Sequence, residues 1–312
     1  MPRRVRFIPE DGALVEVSCR TMQSRYLLRP CPALNEIILG VLGRAQRLYP
    51  VEISGFVFLS THYHLTLWVE DAERLANFME YFQSNLAREV CRLYGWKDKV
   101  WSRRYSAIVI SDEEAAQVDR LRYILANGCK EGLVASPRDW PGVHMVRAVL
   151  VGESLTGTWF DRTKEYAARL RGESYTRYQY ATKETVVLSP LPCWRHMAVE
   201  KYRERIAGLV QQVEAEAAAE RKRTGIQPLG AAGVLKQRPH ACPSKPKKSP
   251  APGFHAATRA ARRELWEAYG RFVAAFREAS ERLRQGDRTA RFPLGSFPPG
   301  LPFVRACPGP AP

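Results

Sequence analysis

Apolar and polar residues follow two different periods along the first half of the chain. Four segments have the alternation or short apolar run that is typical of β-strands: residues 13–20, 51–59, 62–69 and 105–110. Three segments instead place apolar residues at helical spacing: residues 33–50, 71–95 and 111 to about 127. Ser111 and Glu114 match a capping box at the start of the third helix. Pro50 and Gly95 mark the ends of the first two helices.

The order of these elements is strand, helix, strand, strand, helix, strand, and then one more helix. This order predicts an α+β fold of the ferredoxin-like, split βαβ kind. We therefore expect a four-stranded antiparallel sheet with helices on one face, plus an extra helix. Because this arrangement supports many functions, the function has to be inferred from the site.

The pattern changes after about residue 147, which predicts a division into four parts. We expect a first domain over residues 1–147 and a mixed, mainly helical extension over 148–225. A basic, proline-rich linker is expected over 226–256, and a long helix with a Pro/Gly-rich tail over 257–312.

The distribution of charge indicates a nucleic-acid partner. The 312 residues carry 48 Lys and Arg against 32 Asp and Glu, a net charge of +16. Eleven of the basic residues lie between Arg221 and Arg263, where there is no acidic residue. Such clustering is typical of proteins that bind nucleic acid, although a solvated, disordered tail has the same composition.

Localisation is predicted from what the chain lacks. No run of ~18 apolar residues is present, so we expect no membrane span. The start, "MPRRVRFIPEDG", has no apolar stretch and does not resemble a secretory signal. The seven cysteines are scattered, which favours reduced thiols. A cytoplasmic, nucleoid-associated protein is therefore expected.

Two histidines stand close together in the third predicted strand, "HYHLTLWV". Alternation puts His62 and His64 on one face, together with Thr66 and Trp68. Their backbones are then ~6.6–6.8 Å apart, near enough for both imidazoles to lean onto one cation. Two half-exposed histidines without a ligand would have the same pattern.

The third predicted helix carries a tyrosine away from its apolar stripe. Val118, Leu121 and Leu125 form the stripe, and Tyr123 and Asn127 lie roughly opposite, one turn apart. This tyrosine is either an exposed residue of no consequence or a nucleophile. In the second case the Asn127 carbonyl could give an oxygen ligand to a metal.

Four segments in order resemble one family of enzymes. They are "THYHLTLWV", "FMEYFQSNLAREV", "WSRRYSAIVISDEE" and "LRYILANGCKEGLVASPRDWP". The stretch from Val15 to Pro141 is similar to the single-tyrosine HUH transposases, and most similar to their REP-associated tyrosine transposase branch. Two details differ: the family has Asn before the first histidine where this chain has Thr61, and Pro-Val where it has Gly128 and Cys129.

The resemblance implies a role for each residue of the site. His62 and His64 match the family's metal ligands, Asn127 the polar residue that completes the site, and Tyr123 the nucleophile. The implied cofactor is a divalent ion, Mg²⁺ or Mn²⁺. The implied activity is cleavage and strand transfer of single-stranded, hairpin-forming DNA through a 5′-phosphotyrosine bond. Tyr63 is a rival nucleophile, but alternation points it away from the histidines.

Several alternatives stay open from sequence. The chain could be a domesticated, non-catalytic DNA-hairpin binder or a rolling-circle-type nicking endonuclease. Relatives work as monomers or as dimers with shared sites, so a homodimer is one expected partner. A zinc site has suitable residue types without a matching spacing: Cys193, His196, His240 and Cys242.

DNA contacts are predicted at eight positions. Base-stacking candidates are Trp68, Trp101 and Tyr105. Phosphate-contact candidates are Arg20, Arg25, Arg103, Arg104 and Lys130. Core packing is an equally good explanation for Trp101 and Tyr105.

Overall fold

The computed structural model describes residues 6–243 and 252–300 of the chain. Its strands are β1 (Ala13–Arg20), β2 (Glu52–Leu59), β3 (His62–Val69), β4 (Ser106–Ile110), β5 (Thr156–Phe160), β6 (Ala181–Thr185) and β7 (Phe254–His255). Its α-helices are α1 (Pro32–Leu48), α2 (Ala72–Tyr94), α3 (Glu114–Lys130), α4 (Val146–Val151), α5 (Arg162–Leu170), α6 (Val199–Thr224), α7 (Gly230–Leu235) and α8 (Arg259–Arg284).

The main sheet has five strands in the order β2-β3-β1-β4-β7 and is antiparallel except where β7 joins β4. Its first four strands lie within two residues of their predicted bounds. In the β1–β3 register, Ser18 lies opposite His64 and Glu16 lies opposite Thr66. This register places Glu16 diagonal to His64 on the same face, within reach of a long side chain.

The two faces of this sheet are covered by different helices. On one face Tyr63 of β3 packs against Phe82 of α2, with ring centroids 5.6 Å apart. On the other face a Cβ at Gly55 would touch both Thr66 and Leu121 of α3. The face that carries His62 and His64 is therefore the face on which α3 packs.

Helix α3 does not begin as the sequence predicts. Its N-cap is Glu113 and no side chain caps it, so the capping box predicted from Ser111 to Glu114 is wrong. The Ser111 hydroxyl donates to the Glu113 carboxylate at 2.7 Å, and that carboxylate also accepts from the backbone N–H of Ala257 and Thr258. The carboxylate is thus used to fasten the start of α8 to the sheet.

The elements after residue 147 pack on the first half of the chain. The two-stranded β5–β6 sheet lies on α1, where a Cβ at Gly40 would stand 2.2 Å from the carbonyl of Thr158. The predicted linker contains α7 and β7, and Val234 within α7 is fully buried. Composition missed these because the apolar run around Val234 is short. Three of its lysines, Lys245, Lys247 and Lys248, lie outside the described residues, as does the tail from 301.

Over the parts of the chain that the structure describes, none of the helices combines the length and apolar character needed to cross a membrane.

Candidate active site

The two histidines of β3 lie side by side on the face covered by α3. His62 is 9% exposed and His64 is 7% exposed, with ring centroids 5.1 Å apart. Burial lowers the pKa of His64 to about 4, with Arg20 acting in the same direction and Glu131 against it. Burial also holds the pKa of His62 well below its usual range. Both rings are therefore neutral at pH 7 and keep a nitrogen lone pair.

A buried carboxylate fixes the orientation of His64. Oε1 of Glu16, a residue that is 1% exposed, lies 2.7 Å from Nδ1 of His64. An ionised carboxylate can only accept, so Nδ1 carries the proton and Nε2 keeps the lone pair. Histidines that bind metals commonly have such a carboxylate on the opposite ring nitrogen, where it sets the tautomer and raises ligand basicity.

The hydroxyl of Thr61 occupies the equivalent position at His62. Thr61 Oγ1 lies 2.8 Å from Nδ1 of His62. When this nitrogen donates to the hydroxyl, Nε2 of His62 is also left with its lone pair. A threonine can thus orient His62 at the position where the resembled family has asparagine.

Arg120 connects the histidine pair to the tyrosine of α3. Its guanidinium pairs with the second oxygen of Glu16 and lies 4.4 Å from the ring centroid of Tyr123. The Tyr123 ring stands edge-on to His64, with centroids 5.5 Å apart. His64, Glu16, Arg120 and Tyr123 therefore form one continuous set of contacts.

Asn127 is more buried than the helical pattern predicts. It is 2% exposed, and its Nδ2 donates to the backbone carbonyl of Tyr123 at 3.0 Å, which leaves Oδ1 as an acceptor. The prediction took α3 as covered on one side only. Ile124 is also fully buried, in an apolar cluster with Val57 and Leu59 of β2 and Val234 of α7.

Tyr63 points to the opposite side of β3, as strand alternation predicts. It is fully buried, its hydroxyl accepts from Nε2 of Gln83 at 2.7 Å, and burial raises its pKa well above the usual value. A hydroxyl in this position is not directed toward the face that His62 and His64 share.

Four of the predicted phosphate-contact residues lie at or near this site. Arg20 lies opposite His62 in the β1–β3 register, and Ser102 donates its backbone N–H to the carbonyl of Arg20. Arg103 and Arg104 follow in the same loop and are exposed. Lys130 is exposed, with Nζ 5.1 Å from the Tyr123 ring centroid.

The other predicted DNA contacts are engaged within the protein. Trp101 donates from Nε1 to the carbonyl of Gln83, and Tyr105 is part of the core at 9% exposure. The guanidinium of Arg195 lies over Trp68, 4.9 Å from the centroid of the Trp68 ring. Arg25 donates to the carbonyl of His240. Trp101 and Tyr105 thus have the packing contacts of the alternative explanation given for them, and DNA stacking by the three aromatic rings stays a prediction.

No zinc cluster forms among the described residues. Within residues 6–243 and 252–300, no group of three or more His, Cys, Asp or Glu side chains is arranged to hold a metal ion. His240 instead lies against Trp96, with ring centroids 5.5 Å apart. The candidate set of Cys193, His196, His240 and Cys242 is therefore not supported.

Two solved structures are similar to this chain. One is a REP-associated tyrosine transposase bound to a REP hairpin, with 20% identity, a TM-score of 0.38, and coverage of 49% of this chain and 87% of that one. The other is a protein of Deinococcus radiodurans R1 assigned as a transposase, with 15% identity, a TM-score of 0.27, and coverage of 38% and 94%. No protein-family model and no curated protein matches the sequence. Both likenesses cover less than half of this chain at low TM-scores, so the functional argument rests on the side chains of the site.

Glu16 and Arg120 were missed by the sequence reasoning. In the sequence, Glu16 looks like an ordinary polar residue of an alternating strand. Arg120 looks like a solvent-exposed residue of a helix. The one signal in the sequence is the shared face: Glu16 belongs to the less apolar side of β1, as the histidines do on β3.

Proposed function

We propose that this protein is a metal-dependent DNA endonuclease and strand transferase of the tyrosine transposase type, acting on single-stranded, hairpin-forming DNA. The observation that carries the proposal is the buried Glu16, which accepts from Nδ1 of His64 beside a second histidine and within contact reach of Tyr123 through Arg120. The strand order β2-β3-β1-β4, with α1 and α2 in sequence between the strands, supports the ferredoxin-like arrangement.

The donor set suits a divalent cation. His62 and His64 offer two neutral imidazole nitrogens, and Asn127 offers an amide oxygen. A mixed nitrogen and oxygen set accepts Mn²⁺ or Mg²⁺. When bound, such an ion supplies Lewis-acid polarisation of the phosphate and neutralises the developing charge.

Tyr123 is the proposed nucleophile. Its phenolic oxygen forms a bond to the scissile phosphorus, its proton passes to water, and the bond from phosphorus to the 3′ oxygen breaks. The 3′ oxygen takes up a proton and leaves as a hydroxyl, while the 5′ phosphate stays on the tyrosine. A second 3′-hydroxyl reverses the step and joins the strands, so no external energy source is needed. Arg120, 4.4 Å from the ring centroid, stabilises negative charge on the phenolic oxygen.

Basic side chains near the site contact the phosphate backbone in this proposal. Arg20 lies opposite His62, Lys130 lies beside Tyr123, and the exposed Arg103 and Arg104 follow Ser102, which bonds to Arg20. Arginine and lysine contacts to phosphate give sequence-independent affinity that falls with salt. His64 and Tyr123 are in contact within one chain, with ring centroids 5.5 Å apart. A homodimer stays a prediction.

Covalent trapping tests the proposal. A pool of hairpin-forming oligonucleotides, labelled at either the 5′ or the 3′ end, is incubated with protein and Mn²⁺, Mg²⁺ or EDTA and separated on a denaturing protein gel. We expect the 3′ label to move with the protein and the 5′ label to appear on a shorter free strand. Tyr123→Phe should abolish the adduct, whereas the matched control Tyr63→Phe should retain it.

Two outcomes would contradict the proposal. Tight binding of hairpin DNA with no adduct from any member of the pool would favour a non-catalytic binder. Cleavage that persists in Tyr123→Phe would assign the chemistry to another group.

A further inference from the structure

A cleft opens beside Tyr123 on the side away from the histidines. It has a volume of about 690 Å³ and runs between α3 and α6, closed at one end by the segment around Ile226. Tyr123 lines it together with Ala126 and Lys130 of α3, and Val213, Ala217 and Arg221 of α6. Pockets for small organic ligands typically enclose ~300–1,000 Å³. One wall of a ligand-sized cleft is therefore the proposed nucleophile.

An ion pair joins the two helices that line the cleft. Nη1 of Arg122 on α3 lies 2.6 Å from Oε1 of Glu216 on α6. The lining also includes uncharged side chains, among them Ala126, Val213 and the thiol of Cys129. The cleft is therefore lined by both charged and uncharged side chains.

The charges around the cleft argue against a phosphate as its occupant. Its basic residues are Arg122, Lys130 and Arg221. Its acidic residues are Asp119, Glu131, Glu216 and Glu220. A phosphodiester favours a surplus of positive charge, and here acidic side chains outnumber basic ones by four to three. A nucleobase is uncharged, and carboxylates accept hydrogen bonds from exocyclic amino groups such as N4 of cytosine.

We propose that the cleft between α3 and α6 receives one unpaired, amino-bearing nucleobase of the nucleotide adjoining the phosphate that Tyr123 attacks. This inference rests on the proposed function. A base within the duplex stack is not able to enter such a cleft, and enzymes that act beside a base commonly take it out of the stack. The cleft therefore gives a physical reason for a single-stranded substrate.

Filling the cleft tests the proposal. Ala217→Trp places an indole between the two helices, and Ala218→Trp, one position further along α6 and exposed, is the matched control. On intact DNA we expect Ala217→Trp to form the Tyr123 adduct about tenfold more slowly or worse, because loss of one stacked base has an effect of this size. Ala218→Trp should react like wild type. Thermal melts of both variants check that they fold.

DNA substrates that lack one base provide a second test of the cleft. A series of oligonucleotides carries a single abasic site at successive positions on either side of the cleavage site. The wild-type protein should form the adduct more slowly with only one of them, the one whose abasic site adjoins the cleavage position. Ala217→Trp should be insensitive to the abasic site there. At that position cytosine or adenine should react faster than thymine. Equal rates for every abasic position, or a wild-type rate for Ala217→Trp, would overturn the cleft assignment while the adduct itself upholds the proposed function.

A binding readout separates the two hypotheses when no adduct forms. Hairpins with 2-aminopurine at successive positions report unstacking by a rise in fluorescence. A rise at one position that Ala217→Trp abolishes and Ala218→Trp keeps supports the cleft without any cleavage. No position-specific rise, or a rise that both variants retain, overturns it.

Discussion

Replacing Glu16 with glutamine removes one negative charge from a side chain that is 1% exposed and keeps its size. The glutamine Oε1 still accepts from Nδ1 of His64, so the ring stays in place. Its weaker acceptor strength lowers the basicity of Nε2, the nitrogen proposed to bind the metal. Loss of such a partner typically lowers metal affinity ~10–100-fold. We expect the Mn²⁺ affinity of Glu16→Gln to fall within this range.

The same substitution also removes the counterion of Arg120, whose side chain is only 13% exposed. An unpaired buried charge lowers stability by ~3–5 kcal/mol, and the partial exposure of Arg120 favours the lower figure, about 3 kcal/mol. At ~2–4 °C per kcal/mol for a chain of this size, Tm should fall by about 6–12 °C.

A double variant separates the two effects. Glu16→Gln with Arg120→Met removes both buried charges, so stability should return toward wild type while Mn²⁺ affinity stays low. Glu52→Gln, whose carboxylate pairs with Arg195 at the surface, is the matched control and should change neither quantity measurably. Calorimetric Mn²⁺ titration and thermal unfolding give the two readouts. Affinity of Glu16→Gln within twofold of wild type would refute the role of Glu16 in orienting His64.

Three further predictions concern the core and the rival tyrosine. Tyr63→Phe removes one buried hydrogen bond, so unfolding free energy should fall by about 1 kcal/mol in urea titrations, with adduct formation unchanged within twofold. Gly40→Ala puts a Cβ 2.2 Å from the Thr158 backbone and should lower stability by at least about 2 kcal/mol, whereas Gly208→Ala, in open space on α6, should raise it. His144 has a pKa lowered to about 4 by burial. Since the unfolded chain binds the proton first as pH falls below ~6.5, wild type should lose about 2 kcal/mol more than His144→Gln between pH 7.5 and pH 5. An equal loss in the two proteins would contradict this.

Local sequence pattern was sufficient for the parts of the site that lie within one element. Strand alternation correctly predicted that His62 and His64 share a face and that Tyr63 points away from it. The N-cap Asp71 and the left-handed Gly95 bound α2 as predicted. Each of these features depends on residues only a few positions apart.

The remaining parts depend on contacts between distant segments. Glu16 reaches His64 only because the register pairs Glu16 with Thr66, and period-two alternation does not define a register. Asn127 is buried although it lies off the apolar stripe of α3, and the nearby Ile124 packs with Val57 and Leu59 of β2 and with Val234 of α7, all distant in sequence. Ser111 does not cap α3, since its hydroxyl donates to Glu113, whose carboxylate also accepts from the N–H groups just before α8. These features of the site are therefore determined by tertiary contacts, which the local sequence pattern does not predict.

Identifying the modified residue by mass spectrometry tests the central claim most directly. Wild-type protein is incubated with Mn²⁺ and a reactive hairpin, the DNA is trimmed with nuclease, and the protein is digested with trypsin. Cleavage after Arg122 and Lys130 isolates Tyr123 in the peptide of residues 123–130. We expect a nucleotide attached through its 5′ phosphate to Tyr123, and none when EDTA replaces Mn²⁺. DNA cleavage with the nucleotide on Tyr63, on any other residue, or on no residue at all would contradict the account.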